Sequence, residues 1–175
     1  MTAAALIEAY LAGAEALAEA IRGLGPAALR ARPVAGTWST LEVVCHLADA
    51  EALFADRMKR VLAEDRPTLL FADPERFAAA LAFDARDAVE EVACVGAIRR
   101  QMARILRAQP PDAWQRVGVH SKEGERTLEQ LVRKAIDHLE HHLTFVRAKR
   151  QALDDGAASQ PAGGTPSVLR GRDEP

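Results

Sequence analysis

The sequence predicts an all-α protein: a four-helix bundle with long connections between helices two and three and between helices three and four. Three observations carry this expectation. Apolar residues recur at helical spacing in four long segments. Aromatic residues make up only 5% of the chain, and alanine is used heavily, which suits helices packed through Ala, Leu and Val better than a β-sandwich. Helix-start and helix-stop residues bound the periodic segments. At 175 residues the chain fits one domain with a sizeable core.

The first helix is expected from about Thr2 to Arg22, where Leu6, Leu11, Ala14, Leu17 and Ile21 fall to one side, and Gly23, Gly25 and Pro26 end it. A loop from Ala27 to Trp38 follows, containing Pro33 and Gly36. Ser39-Thr40-Leu41-Glu42 is a capping-box pattern, in which each side chain satisfies an orphan backbone N–H, and it opens a second helix reaching about Glu64. Residues Asp65 to Phe83 form a long connection with a short helix at Pro74 to Leu81. The third helix spans roughly Asp84 to Ala108 and is stopped by Pro110-Pro111. A turn or short hairpin is expected between Asp112 and Arg126. The fourth helix begins at a second capping box, Thr127-Leu128-Glu129-Gln130, and reaches about Leu153. The bundle thus occupies residues 1–153. Residues 154–175, rich in Gly, Ser, Pro and Thr without periodicity, are expected to be a disordered tail.

The net charge of -2 and a pI near 6.2 argue against nucleic-acid binding, and there is no basic stripe or aromatic platform. No apolar run reaches transmembrane length, and Glu8 interrupts an N-terminus that has no positive region. Cys45 and Cys94 lie in helical patterns, form no disulfide framework and are expected to be small core residues in a reducing compartment. A cytoplasmic protein is expected.

Chemistry concentrates in Asp137-His138-Leu139-Glu140-His141-His142, which holds three of the five histidines. Residues four apart share a helix face, so His138 and His142 can aim at one point, while His141 points toward the charged side. His46 lies at the margin of the apolar stripe of the second helix, with Glu42 and Asp49 on its polar side. A histidine pair alone is more often incidental than metal-binding. A third histidine at a matching margin makes an open three-histidine site a live reading, with room for water, thiolate or substrate on the ion. Trp38 is expected to anchor the start of the second helix. A solvated position is expected for His120, and ordinary surface pairs for Arg57 and Arg60, with recognition of an anionic substrate as their alternative use.

Two blocks carry a family resemblance. The first is Gly36-Thr37-Trp38-Ser39 leading through Glu42 to His46-Leu47. The second is Gly124-Glu125-Arg126-Thr127-Leu128 followed by Asp137-His138-Leu139-Glu140-His141-His142. They resemble the W-S-x-x-E-x-x-x-H-L and H-x-x-H-H signatures of the DinB-like (DinB/YfiT) superfamily of four-helix-bundle metalloenzymes, over about Leu6 to Gln151. The resemblance implies that His46, His138 and His142 ligate one divalent ion, nickel or zinc. One departure is that Phe145 stands where many relatives have glutamine.

The resemblance also implies a small-molecule substrate and thiol-dependent S-transfer, using a low-molecular-weight thiol such as bacillithiol or mycothiol. A bound ion would lower the thiol pKa, and Glu42 and Asp49 would orient a ligand imidazole or move a proton. The alternatives are metal-dependent hydrolysis, or a non-catalytic metal-binding or stress-response bundle. The first and third helices offer a seam for a homodimer.

Overall fold

The structure, a computed structural model, describes residues 1–35 and 37–158. Four long helices form the bundle: α1 (Ala3–Ile21), α3 (Thr40–Ala63), α5 (Ala88–Arg107) and α6 (Leu128–Ala158). Two short helices, α2 (Pro26–Arg30) and α4 (Pro74–Ala80), lie in the connections. A small sheet is built from β1 (Thr68–Leu69), β2 (Val117–His120) and β3 (Gly124–Thr127).

Both α1 and α3 pack against α5 and α6, so the order around the bundle is α1, α5, α3, α6. The consecutive long helices α1 and α3 therefore stand diagonally opposed, as do α5 and α6. The simple up-and-down order is replaced by two connections that cross the bundle ends. The core runs the length of the bundle, from Leu6, Met58 and Val132 at one end to Leu17, Val44 and Val146 at the other.

Local chemistry explains the helix boundaries. Thr2 caps α1, its hydroxyl accepting from the Ala5 N–H at 3.3 Å. The capping box of α3 is complete: the Glu42 N–H donates to Ser39 Oγ, and the Ser39 N–H donates to Glu42 Oε2. At α6 the Gln130 N–H donates to Thr127 Oγ1, and the Thr127 N–H donates to Gln130 Oε1. Pro26 begins a helical turn where a loop was expected, because its fixed φ suits the first helical position. The third long helix starts later than expected. A 3-10 turn occupies Phe83–Ala85, and Asp87 caps α5 by accepting from the Val89 and Glu90 N–H groups. In α6 the helix continues past Leu153 to Ala158; the rest of the expected tail lies outside the described residues.

The expected hairpin is present. β2 pairs antiparallel with β3, and Gly124, at φ +73°, takes the left-handed conformation where the turn rejoins the ladder. β1 adds in parallel to β2, with Leu69 opposite His120. Arg116 ties this unit to the end of α3 by donating to the Val61 and Glu64 carbonyls at 2.7 Å each. Cys45 is buried as expected, but Cys94 is exposed, so the expectation that both are core residues is corrected. Its position on α5 turns away from the partners that bury Val95 and Gly96. No helix among the described residues is long and apolar enough to cross a membrane.

The largest feature that the sequence did not reveal is a buried charge network at the centre of the bundle. Glu51 of α3 and Arg99 of α5 are 3% and 1% exposed and form an ion pair at 2.7 Å. Arg99 also donates to the Tyr10 carbonyl of α1 at 2.7 Å and to the Ala135 carbonyl of α6 at 3.0 Å. The Tyr10 hydroxyl donates to Glu51 Oε1, and the guanidinium lies 4.5 Å from the Tyr10 ring centre. Burial, then the Glu51 charge, hold the Tyr10 hydroxyl far above its ordinary pKa, so it remains a donor. One side chain thus contacts all three other long helices.

Candidate metal centre

The capping box fixes where α3 begins, and His46 follows in the next turns. Its neighbours Cys45 and Leu47 are buried, which leaves the imidazole at the edge of the core. On α6, the buried Leu139 and Leu143 anchor the helix against the bundle and place His138 and His142 at the same margin. Because α3 and α6 are neighbours in the ring, the two margins face each other.

His46, His138 and His142 converge. Each offers one ring nitrogen, and these nitrogens all lie within 4.8 Å of one another. The Nε2 atoms of His46 and His138 are 3.1 Å apart. The ring centroids of the three are separated by 5.0, 4.7 and 4.6 Å. An ion held at metal–nitrogen distances of about 2.0–2.1 Å separates adjacent ligand nitrogens by roughly 3.0–3.4 Å, close to what His46 and His138 already show. His142 Nδ1 is buried with no hydrogen-bond partner, a loss a folded protein ordinarily avoids. Three neutral imidazoles with an orphaned nitrogen fit a divalent transition ion.

The electrostatics favour the same state. Burial, reinforced by the neighbouring imidazoles, pushes His138 down to about 3 and His142 down to about 4. Burial also lowers His46, outweighing the opposite pull of the Asp49 charge. All three rings are therefore neutral at pH 7 with lone pairs free. A stability consequence follows for the metal-free protein. In the unfolded chain each histidine protonates near pH 6.5, whereas the folded rings resist protonation until well below that. Between about pH 6.5 and pH 4 the unfolded state thus binds more protons, and stability falls as pH falls. Denaturant midpoints of metal-free protein are expected to drop from pH 7 to pH 5, and His138→Leu should flatten that drop. An unchanged slope in the variant would contradict the assignment.

Aromatic rings enclose the cluster. Trp38 packs edge-on to His46 at 5.2 Å and to Phe83 at 6.4 Å, combining the expected anchoring of α3 with a wall for the His46 imidazole. Phe54 packs edge-on to His138 at 5.5 Å. Phe145, 41% exposed, lies 4.8 Å from His141 and 5.9 Å from His142. His141 is exposed and outside the converging trio, as helix geometry predicts.

The two candidate carboxylates have other partners. Glu42 accepts from the Ser39 N–H and from Arg32 Nη2, each at 2.6 Å, so its carboxylate is taken up at the start of α3. Asp49 lines the cleft near His46, where both of its oxygens accept from Arg86 Nη1 at 3.0 Å; Arg86 in turn binds Glu91.

His46 and His138 open onto a cleft of about 680 Å³, lined on its other side by the β2–β3 unit. His120 corrects the expectation of a solvated loop position: it is 7% exposed, ends β2 and lines this cleft. Strand alternation was the available signal, since His120 shares a face with the buried Gly118. Arg60 makes the expected surface pairs, with Asp56 and Glu64. Arg57 does not; it donates to the Leu70 carbonyl at 2.6 Å and lines the cleft.

The fold is shared with a solved structure. YfiT from Bacillus subtilis, described as a probable metal-dependent hydrolase with an unusual four-helix bundle topology, superposes with a TM-score of 0.81. The two chains are 20% identical, and the match covers 87% of each. Among curated proteins, none matches the chain. The family model of the DinB superfamily matches residues 9–146, spanning both histidine blocks and all four long helices, and the chain belongs to that superfamily.

Proposed function

We propose that this protein is a divalent-metal-dependent enzyme acting on a small molecule, with His46, His138 and His142 holding a single nickel or zinc ion. The observation that carries the reading is the convergence of three neutral imidazoles at one wall of an open cleft. A purely structural site would be closed by a fourth side chain; here two of the three histidines, His46 and His138, line a cavity of about 680 Å³, ample for a substrate. That openness supports an enzyme over a non-catalytic bundle.

When bound, a divalent ion supplies a Lewis acid that makes a thiol or a water more acidic and more nucleophilic at neutral pH. The chain's own residues do the remaining work. Trp38 and Phe54 pack edge-on against His46 and His138 and fix their orientation. Asp49, steadied by Arg86, is the carboxylate nearest His46 and takes up or returns a proton at the cleft wall. Glu42 acts at one remove, setting the start of α3 and hence the direction of His46.

The reaction is read as transfer of a low-molecular-weight thiol to an electrophilic small molecule. Hydrolysis is the second reading, favoured by the fold shared with YfiT. A screen of thiol conjugation and of ester and amide hydrolysis, with metal-loaded and chelated protein, separates the two. Turnover is expected in the loaded protein and should vanish on chelation. No metal-dependent turnover in either class would overturn the enzymatic reading. A homodimer remains part of this proposal and is checked by light scattering.

A further inference from the structure

Arg57 is the least expected cation in the molecule. It is half-buried, and no carboxylate lies within ion-pair distance of it among the described residues. Its position is nevertheless fixed. The Leu70 carbonyl accepts from Nη2 at 2.6 Å, and Cζ lies 5.7 Å from the centre of the Phe54 ring. The other face of the story is Phe54 itself, which packs 5.5 Å from His138, so His138, Phe54 and Arg57 form a row along the cleft.

The strand next to Leu70 brings in a second donor. Leu69 pairs with His120 across the β1–β2 ladder, and Phe71 packs edge-on to the His120 ring at 6.4 Å. His120 Nδ1 accepts from the Lys122 and Glu123 N–H groups at 3.3 and 3.2 Å. In the neutral ring the proton must therefore be on Nε2, which makes that nitrogen a donor. Burial favours the neutral ring, and the Arg57 charge adds to that effect, consistent with the two side chains facing one space.

Glu123 and Asp56 act on Arg57 only through space, and neither forms an ion pair with it. Glu123 lies between Arg126 at 3.3 Å and Lys134 at 3.6 Å, one carboxylate for two cations. Arg133 is paired with Glu129, and Asp49 is held by Arg86. Asp137 lines the cleft as a solvent-exposed group. A fixed guanidinium with unused donors beside a neutral imidazole N–H is an arrangement suited to a carboxylate.

We propose that Arg57 and His120 form an anion subsite, so that the cleft takes a small molecule whose carboxylate rests on this corner while its reactive end faces the three histidines. The placement of the reactive end rests on the metal reading above; the anion subsite rests on Arg57, Leu70 and His120.

The test uses cobalt-loaded protein, whose visible absorption changes when a thiol joins the metal. Mercaptoalkanoates of increasing length are compared with mercapto alcohols of the same length. At the best length the carboxylate series should bind about tenfold more tightly, the effect of one charge-assisted contact. Arg57→Met should erase that preference while leaving the mercapto-alcohol affinity unchanged. Arg57→Lys, which keeps the charge, should retain part of it, and this variant decides the matter should Arg57→Met fail to fold. His120→Phe should weaken the carboxylate series alone.

Equal binding of the two series by the parent protein, or a preference undiminished in Arg57→Met, would overturn the subsite with the metal centre intact. Failure of cobalt to bind would instead overturn the metal reading, and the placement of the reactive end with it.

Discussion

Replacing His138 with alanine is expected to abolish stoichiometric metal binding. Protein purified without an affinity tag should carry about one divalent ion per chain by elemental analysis, and His138→Ala should carry none. His138 contributes the nitrogen 3.1 Å from His46, and it packs within 5.0 Å of both other rings, so its loss leaves two donors without a third. His46→Ala and His142→Ala should behave alike, because two imidazoles on a protein surface hold ions weakly and with fast exchange. The informative control is His141→Ala. That ring is exposed and lies outside the trio, although it is only 5.4 Å from His142, and most of the metal should remain. Equal loss in His141→Ala and His142→Ala would refute the assignment of ligands.

The second large effect is expected far from the metal, at Glu51. Glu51→Leu should destabilise the protein by about 3–5 kcal/mol, because it leaves a buried guanidinium that cannot shed its proton. For a chain of this size that corresponds to a fall in melting temperature on the order of 10 °C. Arg99→Met should also destabilise the protein, since it leaves Glu51 and the Tyr10 and Ala135 carbonyls without their donor. The double variant should recover part of the loss, as well-packed apolar groups can replace a buried ion pair. Gly13→Ala belongs to the same network. A Cβ there would overlap Arg99 Nη1, and this crowding should outweigh the better helix propensity of alanine. Denaturant unfolding of the four proteins measures all of this, and a stability unchanged in Glu51→Leu would contradict the account.

The bundle and the convergence of the three histidines were legible because each depends on a local rule. Helix periodicity and two capping boxes located α3 and α6, and the four-residue spacing placed His138 and His142 on one face. His141 was set aside for the same reason. The start of α5 was misplaced because Asp87 and Asp84 are both plausible caps, and the 3-10 turn at Phe83–Ala85 was chosen by packing of Phe83 against the core. What the sequence hid are partnerships between distant segments. Nothing near Glu51 or Arg99 announces that they meet across 48 positions, because a charged residue in a helix is by default a solvated one. Arg57 and Arg60 look equivalent in sequence, yet the Leu70 carbonyl, just after β1, separates their roles.

The diagonal arrangement of consecutive long helices also bears on how the protein matures. Residues 46 and 138 meet across 92 positions of sequence, and the last ligand is on the final helix of the bundle. A chain still emerging from the ribosome presents only one imidazole of the trio, and α6 must dock before the proposed site can grasp an ion tightly. On the proposed ligand set, metal capture therefore waits for α6, and ion occupancy would report that this helix has docked.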